Sequence, residues 1–585
     1  MLKGDRSGLD YFQLIKTAKR LVPGAGQPLR LALLADVSTQ HLVLVLRVLF
    51  AQNGVDVEIY EAGYDTVELE AHNPASGLYE FRPQLVAIIQ SVQKLKAIYY
   101  SFPGDRASVS QVWADRIEGV WNAIQERSHA SIAQSTFVLP YERPYGNYGL
   151  KVADTLQGAV SELNRGLVLR ARRHPSVFMN DIDHLAAWCG RGQFLDERLW
   201  TLSKSLGALT HLPDVAQNIV DIALAVNGRS VKCVVLDLDN TLWGGVVGED
   251  GLDGIGLGDL DDGGAFRLFQ LYLRELARRG IILAVCSKND DSLARQVFRE
   301  HPGMVLKESD IAVFVANWDD KASNLARIRE TLNIGFDAMV FLDDNPFERN
   351  LVRQMLPDVI VPELPEDPAL YVRALSELNL FETGSASSLD ARRGEMYTEQ
   401  AVRDEERGRF RDIGDYLQSL DTTADCSPIG PQNLPRVAQL IQRSNQFNLT
   451  SKRYSQAECE ALMRDDEYIS FCVSIKDRFG DFGLINVVIL RKAGAVLDID
   501  TFLMSCRVLQ RGVEQFAMNR IFEHARRGAF ERVVGHYIPT AKNSMVKDFF
   551  RRFDFVESGS TPGGDEWTAR VADYVPREVF IREQA

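Results

Sequence analysis

The chain has 585 residues, and its 66 Lys and Arg stand against 80 Asp and Glu, a net charge of 66 − 80 = −14. That length exceeds one hydrophobic core and sets an expectation of two to four domains. The acidic balance excludes a protein built mainly to neutralise nucleic-acid phosphates, and 45% apolar residues with 7 cysteines exclude collagen-like, disulfide-stapled and wholly disordered chains.

In chain order, 29–35 reads as a buried strand, 41–52 as a helix and 55–60 as a second strand. Further strand signals lie at 85–89 and 137–139, with helical stretches between them. This alternation predicts a parallel sheet with helices on both faces. A second α/β unit opens at 231–240. Its strands continue at 281–286 and 340–342, with helices near 265–279 and 324–332. It closes at the proline-punctuated stretch 361–368. A charged helical link over roughly 389–421 leads to a third segment, whose strands at 468–475 and 484–491 alternate with helices in an α+β pattern. The expected domains are 1–226, 227–375 and 376–585.

The cysteines stand at 189, 233, 286, 426, 459, 472 and 506. None forms a CxxC pair, so the spacing argues for a reducing compartment and against a zinc ribbon. The first residues carry no apolar signal core, and no apolar run is long enough to span a bilayer. A cytoplasmic protein is expected, with no membrane and no nucleic-acid partner.

The densest chemistry follows the 231–236 strand, in Asp237-Leu-Asp239-Asn-Thr241. Two carboxylates two positions apart at a strand end can serve one pocket as nucleophile and as proton donor. Ser287-Lys288-Asn289 ends the next strand, where a hydroxyl and main-chain N–H groups suit phosphate oxygens. Lys321 offers a cation, and Asp343-Asp344-Asn345 ends another strand with hard oxygen ligands for magnesium. All four groups fall where open α/β sheets bind ligands, at the carboxyl ends of strands.

This ordered set resembles the haloacid dehalogenase-like (HAD) phosphatases. The resemblance implies that Asp237 forms an aspartyl-phosphate and Asp239 is the general acid/base. Thr241, Ser287, Lys288, Asn289 and Lys321 would contact phosphate. Mg2+ would be held by Asp237, the main chain of Asp239, and Asp343 or Asp344. The short, Gly-rich stretch after Thr241 leaves room for a small cap over a Rossmannoid core. The fuller stretches 237–252, 284–291, 317–326 and 341–350, with 444–455, 502–509 and 537–551 in the third segment, are similar to the FkbH-like branch of that superfamily. That branch implies capture and dephosphorylation of 1,3-bisphosphoglycerate. The glyceryl group is then delivered as a thioester to a phosphopantetheinylated acyl carrier protein in polyketide-type biosynthesis.

The third segment also resembles an N-acetyltransferase-like (GNAT-like) α+β fold. Cys506-Arg507 and Arg511-Gly512 follow a strand and lead into a helix, a turn able to present N–H groups to phosphopantetheine. Asn543 belongs to the late motif of that fold. Cys506 is the better candidate for a nucleophilic thiol. Cys286 is the weaker one, because strand alternation sends it and Ser287 to opposite faces. Residues 501–560 carry ten Lys/Arg and six Asp/Glu, 10 − 6 = +4, a local excess that suits an acidic carrier. Arg507, Arg511, Lys542 and Lys547 are its candidate contacts. In the first segment, Ser38 with Asp181 and His184 faintly resembles an SGNH hydrolase, a three-layer fold, and a noncatalytic accessory domain is expected there. The competing expectations are a magnesium-dependent phosphatase acting on another metabolite, and a CoA-dependent acetyltransferase or carrier-binding scaffold.

Overall fold

The structure is a computed structural model, and it describes residues 10–21, 28–384, 412–444, 446–505, 508–509, 511–540, 543–561 and 564–584. The chain divides into two compact units, the first closing at Val226 and the second opening at Asn227, with Glu382–Gly384 grouped with the first. Among the described residues the strands form three sheets.

The sheet of the first unit holds β1 (Leu29–Ala35), β2 (Val57–Glu61), β3 (Leu85–Ile89), β4 (Ser131–Ser135) and β5 (Val177–Asn180), in the order β2-β1-β3-β4-β5. Every pairing is parallel. β3 is a continuous apolar run, and β1 is one from Leu31 onward after the exposed Arg30, as expected of a parallel sheet covered on both faces. The helix Val109–Arg127 buries Trp113, Ile117, Val120, Trp121 and Ile124, a stripe at helical spacing.

The expected strand at 137–139 is displaced: β4 lies a few residues earlier. Its buried Gln134 and Ser135 hide the hydropathy signal, yet both are satisfied internally. Trp121 Nε1 donates to Gln134 Oε1 at 3.0 Å, and Gln90 N to Ser135 Oγ at 3.1 Å. Phe137 and Val138 are buried beyond the strand, which accounts for their apolar signal.

The second unit begins with β6 (Cys233–Leu236), β7 (Ile282–Ser287), β8 (Ile311–Ala316) and β9 (Met339–Leu342), all parallel in the order β8-β7-β6-β9. Alternation along β6 sends Val234 and Leu236 to one apolar layer, and Cys233 and Val235 to the other. The amphipathic helix Asp261–Arg278 packs Phe266, Phe269 and Leu273 into the first of these layers.

The third sheet is mixed. It contains β10 (Thr423–Pro428), β11 (Tyr468–Asp477), β12 (Gly480–Ala493), β13 (Val496–Met504), β14 (Arg532–Tyr537), β15 (Val556–Thr561), β16 (Gly564–Arg570) and β17 (Arg582–Glu583). Their order is β15-β16-β14-β13-β12-β11-β10-β17. The helix Val513–Arg527 buries Phe516, Ile521 and Phe522 in the core of this sheet.

β13 and β14 pair in parallel only as far as Ile499 and Gly535. Beyond that point the stretch 447–449 joins them. Leu449 N donates to Phe502 O (3.2 Å), Met504 N to Phe447 O (3.0 Å), and Ile538 N to Leu449 O (2.9 Å). Of the expected link over 389–421, residues 389–411 lie outside the described residues, and the helix Ile413–Ser419 follows. Among the described residues no helix is long and apolar enough to cross a membrane.

Candidate active site

The carboxyl ends of β6, β7 and β9 converge on Lys321. This side chain is 2% exposed, and it is the first residue of the helix Lys321–Leu332, whose N-terminus Asp320 caps by accepting from Ser323 N (2.8 Å). Its ammonium has three partners for three donors: Asp237 Oδ1 at 2.7 Å, Asp343 Oδ2 at 2.9 Å and the Cys286 carbonyl at 3.1 Å. Burial works against the charge, but the two carboxylates outweigh it and hold the Lys321 pKa above its ordinary value.

Asp237, Asp343 and Asp344 can each offer an oxygen within 4.8 Å of one another. Asp343 has no exposed surface, and both its oxygens are engaged, Oδ2 by Lys321 and Oδ1 by the Asn345 N–H at 2.9 Å. Burial raises its pKa first, and the Asp237 charge adds to the rise. Asp344 is raised by the same two causes in the same order. Its main chain is fixed by Thr241, whose Oγ1 accepts from Asp344 N at 3.2 Å. Arg349, which the sequence reading overlooked, donates to the carbonyls of Asp343 (2.8 Å) and Asp344 (2.6 Å) and clamps the loop from below.

Asp239 has hydrogen-bond partners of its own. Its Oδ1 accepts from Trp243 Nε1 (2.8 Å) and Val247 N (3.1 Å), and its Oδ2 from Asn289 Nδ2 (2.9 Å). Burial pushes its pKa up, and the nearby Asp237 charge adds to that. The intervening Asn240 sits at φ 53°, a left-handed position asparagine tolerates, which lets the loop turn back on itself. The insertion after it is small, a bridge between Gly244 and Gly256 around the helix Val247–Gly254.

The donor set fits a divalent magnesium ion. Three carboxylates converge around one ammonium, all the candidate ligands are hard oxygens, and the cluster carries an excess of negative charge.

The family model for the FkbH N-terminal domain matches residues 30–224. A solved structure, the N-terminal part of the protein BF1531 from Bacteroides fragilis containing a phosphatase domain complexed with Mg, is 38% identical. It covers 64% of this chain and 99% of its own, with a TM-score of 0.60. The chain belongs to the FkbH-like family.

Two acetyltransferases also align with this FkbH-like chain, both at a TM-score of 0.21. One is the ribosomal-protein-S18-alanine N-acetyltransferase of Escherichia coli, at 10% identity over 26% of this chain and 94% of that one. The other is the spermidine N-acetyltransferase of Vibrio cholerae in complex with CoA and spermine, at 15% identity over 26% and 98%. At that score neither assigns a fold. No curated protein matches the chain.

Several residues expected at the site of the FkbH-like chain do other work. The Thr241 hydroxyl is fully buried and serves the Asp344 loop. Lys288 pairs with Glu348 at 2.6 Å, and the Asn289 amide orients Asp239. Ser287 is buried at the end of β7. Cys286 is not an available nucleophile: its thiol lies in the apolar layer opposite Ser287, with no exposed surface, and burial pushes its pKa up to about 12.

In the third sheet, Cys506, Arg507 and Lys542 lie outside the described residues. Arg511 is buried, paired with Asp477 at 3.0 Å and laid over the Phe482 ring at 4.6 Å, which ties it to β11 and β12. Gly512 caps the helix Val513–Arg527 at φ 81°. Asn543 is likewise an internal brace. Its Nδ2 donates to Asn448 O (3.0 Å) and Ile538 O (2.9 Å), and its Oδ1 accepts from Thr540 N (2.7 Å).

In the first unit, Asp181 caps the helix Ile182–Cys189, accepting from His184 N (3.2 Å) and Thr136 Oγ1 (3.0 Å). Ser38 N donates to Lys204 O at 2.9 Å. Among the described residues no hydrogen bond joins Ser38 to Asp181 or His184, so no hydrolytic triad is assembled.

Proposed function

We propose that the chain is a magnesium-dependent phosphatase and glyceryltransferase. In this reading an HAD-like domain (227–375) removes phosphate from 1,3-bisphosphoglycerate, and a GNAT-like domain (376–585) delivers the glyceryl group to the phosphopantetheine thiol of an acyl carrier protein. An SGNH-like domain (1–226) is a noncatalytic accessory. The observation that carries the phosphatase half is Lys321 held between Asp237 and Asp343, with Asp344 beside them and Asp239 two positions from Asp237.

Asp237 and Asp344 would hold magnesium, with Asp343 held behind them by Lys321. The ion supplies positive charge where negative charge builds on the phosphoryl oxygens. Asp237 attacks phosphorus to form an aspartyl-phosphate, and the bond from phosphorus to the leaving oxygen breaks. Asp239 gives that oxygen a proton, then takes one from the water that releases phosphate. Asn289, Trp243 and the Val247 N–H aim its carboxyl through both steps. The small insertion after Thr241 leaves the mouth open to a bulky or carrier-borne substrate. With Cys286 sealed, any covalent acyl step falls to Cys506.

A second reading, a phosphatase for another phosphorylated metabolite, is favoured by the internal roles of Arg511 and Asn543, which weaken the carrier-binding expectation. The deciding experiment incubates the protein with magnesium, a phosphopantetheinylated carrier and 1,3-bisphosphoglycerate generated in place. Free phosphate is measured alongside the intact mass of the carrier. A glyceryl adduct that vanishes with EDTA supports the joint reading, and phosphate without adduct supports the second. In Asp237→Asn, removal of the terminal phosphate, read from the phosphoryl mass that stays on the carrier adduct, falls roughly 10³-fold or more. Its removal at the normal rate excludes Asp237 as the nucleophile.

A further inference from the structure

A second cluster of ionisable groups lies on β13, β14 and their neighbours. Asp498 of β13 is buried, and each of its oxygens has a partner. Oδ1 faces His536 Nε2 at 2.9 Å, and Oδ2 accepts from Arg491 of β12 at 2.9 Å. Asp498 therefore holds the imidazole ring from a fixed side: with Nε2 carrying the proton toward Asp498, the lone pair sits on Nδ1. Among the described residues Nδ1 has no hydrogen-bond partner, and the side chain is 35% exposed. The Asp498 hydrogen bond raises the His536 pKa against the effect of burial.

The remaining charged groups around the imidazole are Glu566, its cross-strand partner on β16, and Lys452. Lys452 pairs with Asp500, which also accepts from the Tyr454 hydroxyl at 2.7 Å. Lys452 and Tyr454 come three and five residues after the stretch 447–449 that joins β13 to β14. The cluster thus stands where those two strands part, with one buried carboxylate aiming an imidazole and an ammonium close by.

Here one ring nitrogen is fixed by an oriented carboxylate and the other is left for solvent or substrate, the arrangement of a general base with its orienting group. We infer that His536 is the general base of an acyl transfer to a thiol, with Asp498 as its positioning residue. The inference rests on the transfer half of the function proposed above. The thiol S–H bond breaks and its proton passes to Nδ1. The sulfur bonds to the acyl carbon of an acyl phosphate, and the bond from that carbon to the phosphate oxygen breaks, so phosphate leaves with the electron pair. The imidazolium then returns its proton to water.

The test is the initial rate of thioester formation with pantetheine as the thiol. The full chain, magnesium and 1,3-bisphosphoglycerate generated in place are used from pH 6 to 10, with melting curves to check folding. In His536→Gln the rate near pH 7.5 falls about 10²–10⁴-fold, and the gap closes at high pH as the thiol ionises unaided. In Asp498→Asn the plateau falls and the acid limb moves to lower pH, because the group that raises the His536 pKa is gone. A wild-type rate and profile in folded His536→Gln overturns the inference. So does a loss of equal size at every pH, which marks a structural role. If the wild type releases phosphate but forms no thioester, the transfer half of the proposed function fails and takes this inference with it.

Discussion

Replacing Lys321 by Met removes one positive charge from between two buried carboxylates and leaves the Cys286 carbonyl without its donor. At separations of 2.7 and 2.9 Å, each ion pair is worth roughly 6 kcal/mol at an effective dielectric of about 20. Most of that is offset by no longer burying the ammonium. The net cost of stranding one side of a buried pair is about 3–5 kcal/mol. Hydrogen exchange with mass spectrometry reads this locally in the full chain. In EDTA, peptides spanning β6, β7 and β9 exchange roughly two to four powers of ten faster than in the wild type. Millimolar magnesium narrows the gap in the variant, because the ion returns positive charge to Asp237, Asp343 and Asp344. Unchanged exchange in EDTA refutes the view that Lys321 neutralises this cluster.

Two further substitutions test the polar core. Trp121→Phe deletes the pyrrole ring at a fully buried site and leaves Gln134 Oε1 buried without its donor; the lost hydrogen bond costs about 1–3 kcal/mol and the cavity adds to it, read as a lower urea midpoint for peptides of β3, β4 and β5. Asn543→Ala strands the Asn448 and Ile538 carbonyls and the Thr540 N–H, and costs at least about 2 kcal/mol. Its signature is faster exchange at the Leu449 and Ile538 amides, and wild-type protection there excludes the bracing role.

The parallel strands of the second unit were legible because buried parallel sheets write themselves as apolar runs that end in polar residues. For the same reason the motifs at 237–241 and 343–345 could be placed on one edge of a sheet before any coordinates. What escaped was whatever depends on a partner distant in sequence. Arg349 was not singled out in the sequence, and only the folded loop shows it gripping the carbonyls of Asp343 and Asp344. Asn289, read as a phosphate contact, instead spends its amide on Asp239. β4 was misplaced because polar side chains that satisfy one another can be buried as fully as apolar ones. Asn543 and Arg511 show the converse case, in which a polar residue in a suggestive motif has partners inside the fold.

The stretch 447–449 has a consequence for how the third sheet comes together. β13 and β14 can start to pair at their near ends, but past Ile499 and Gly535 each finds its next main-chain partner in a piece of chain made long before either. Closure of that sheet is therefore a non-local event, and the entropy of holding an early segment in place is spent before the bonds that reward it can form. During synthesis, the edges of β13 and β14 stay unsatisfied until 447–449 is seated. A chain stalled at that stage exposes two strand ends to any neighbour able to lend a third, which makes this junction the place where two copies would most readily trade segments.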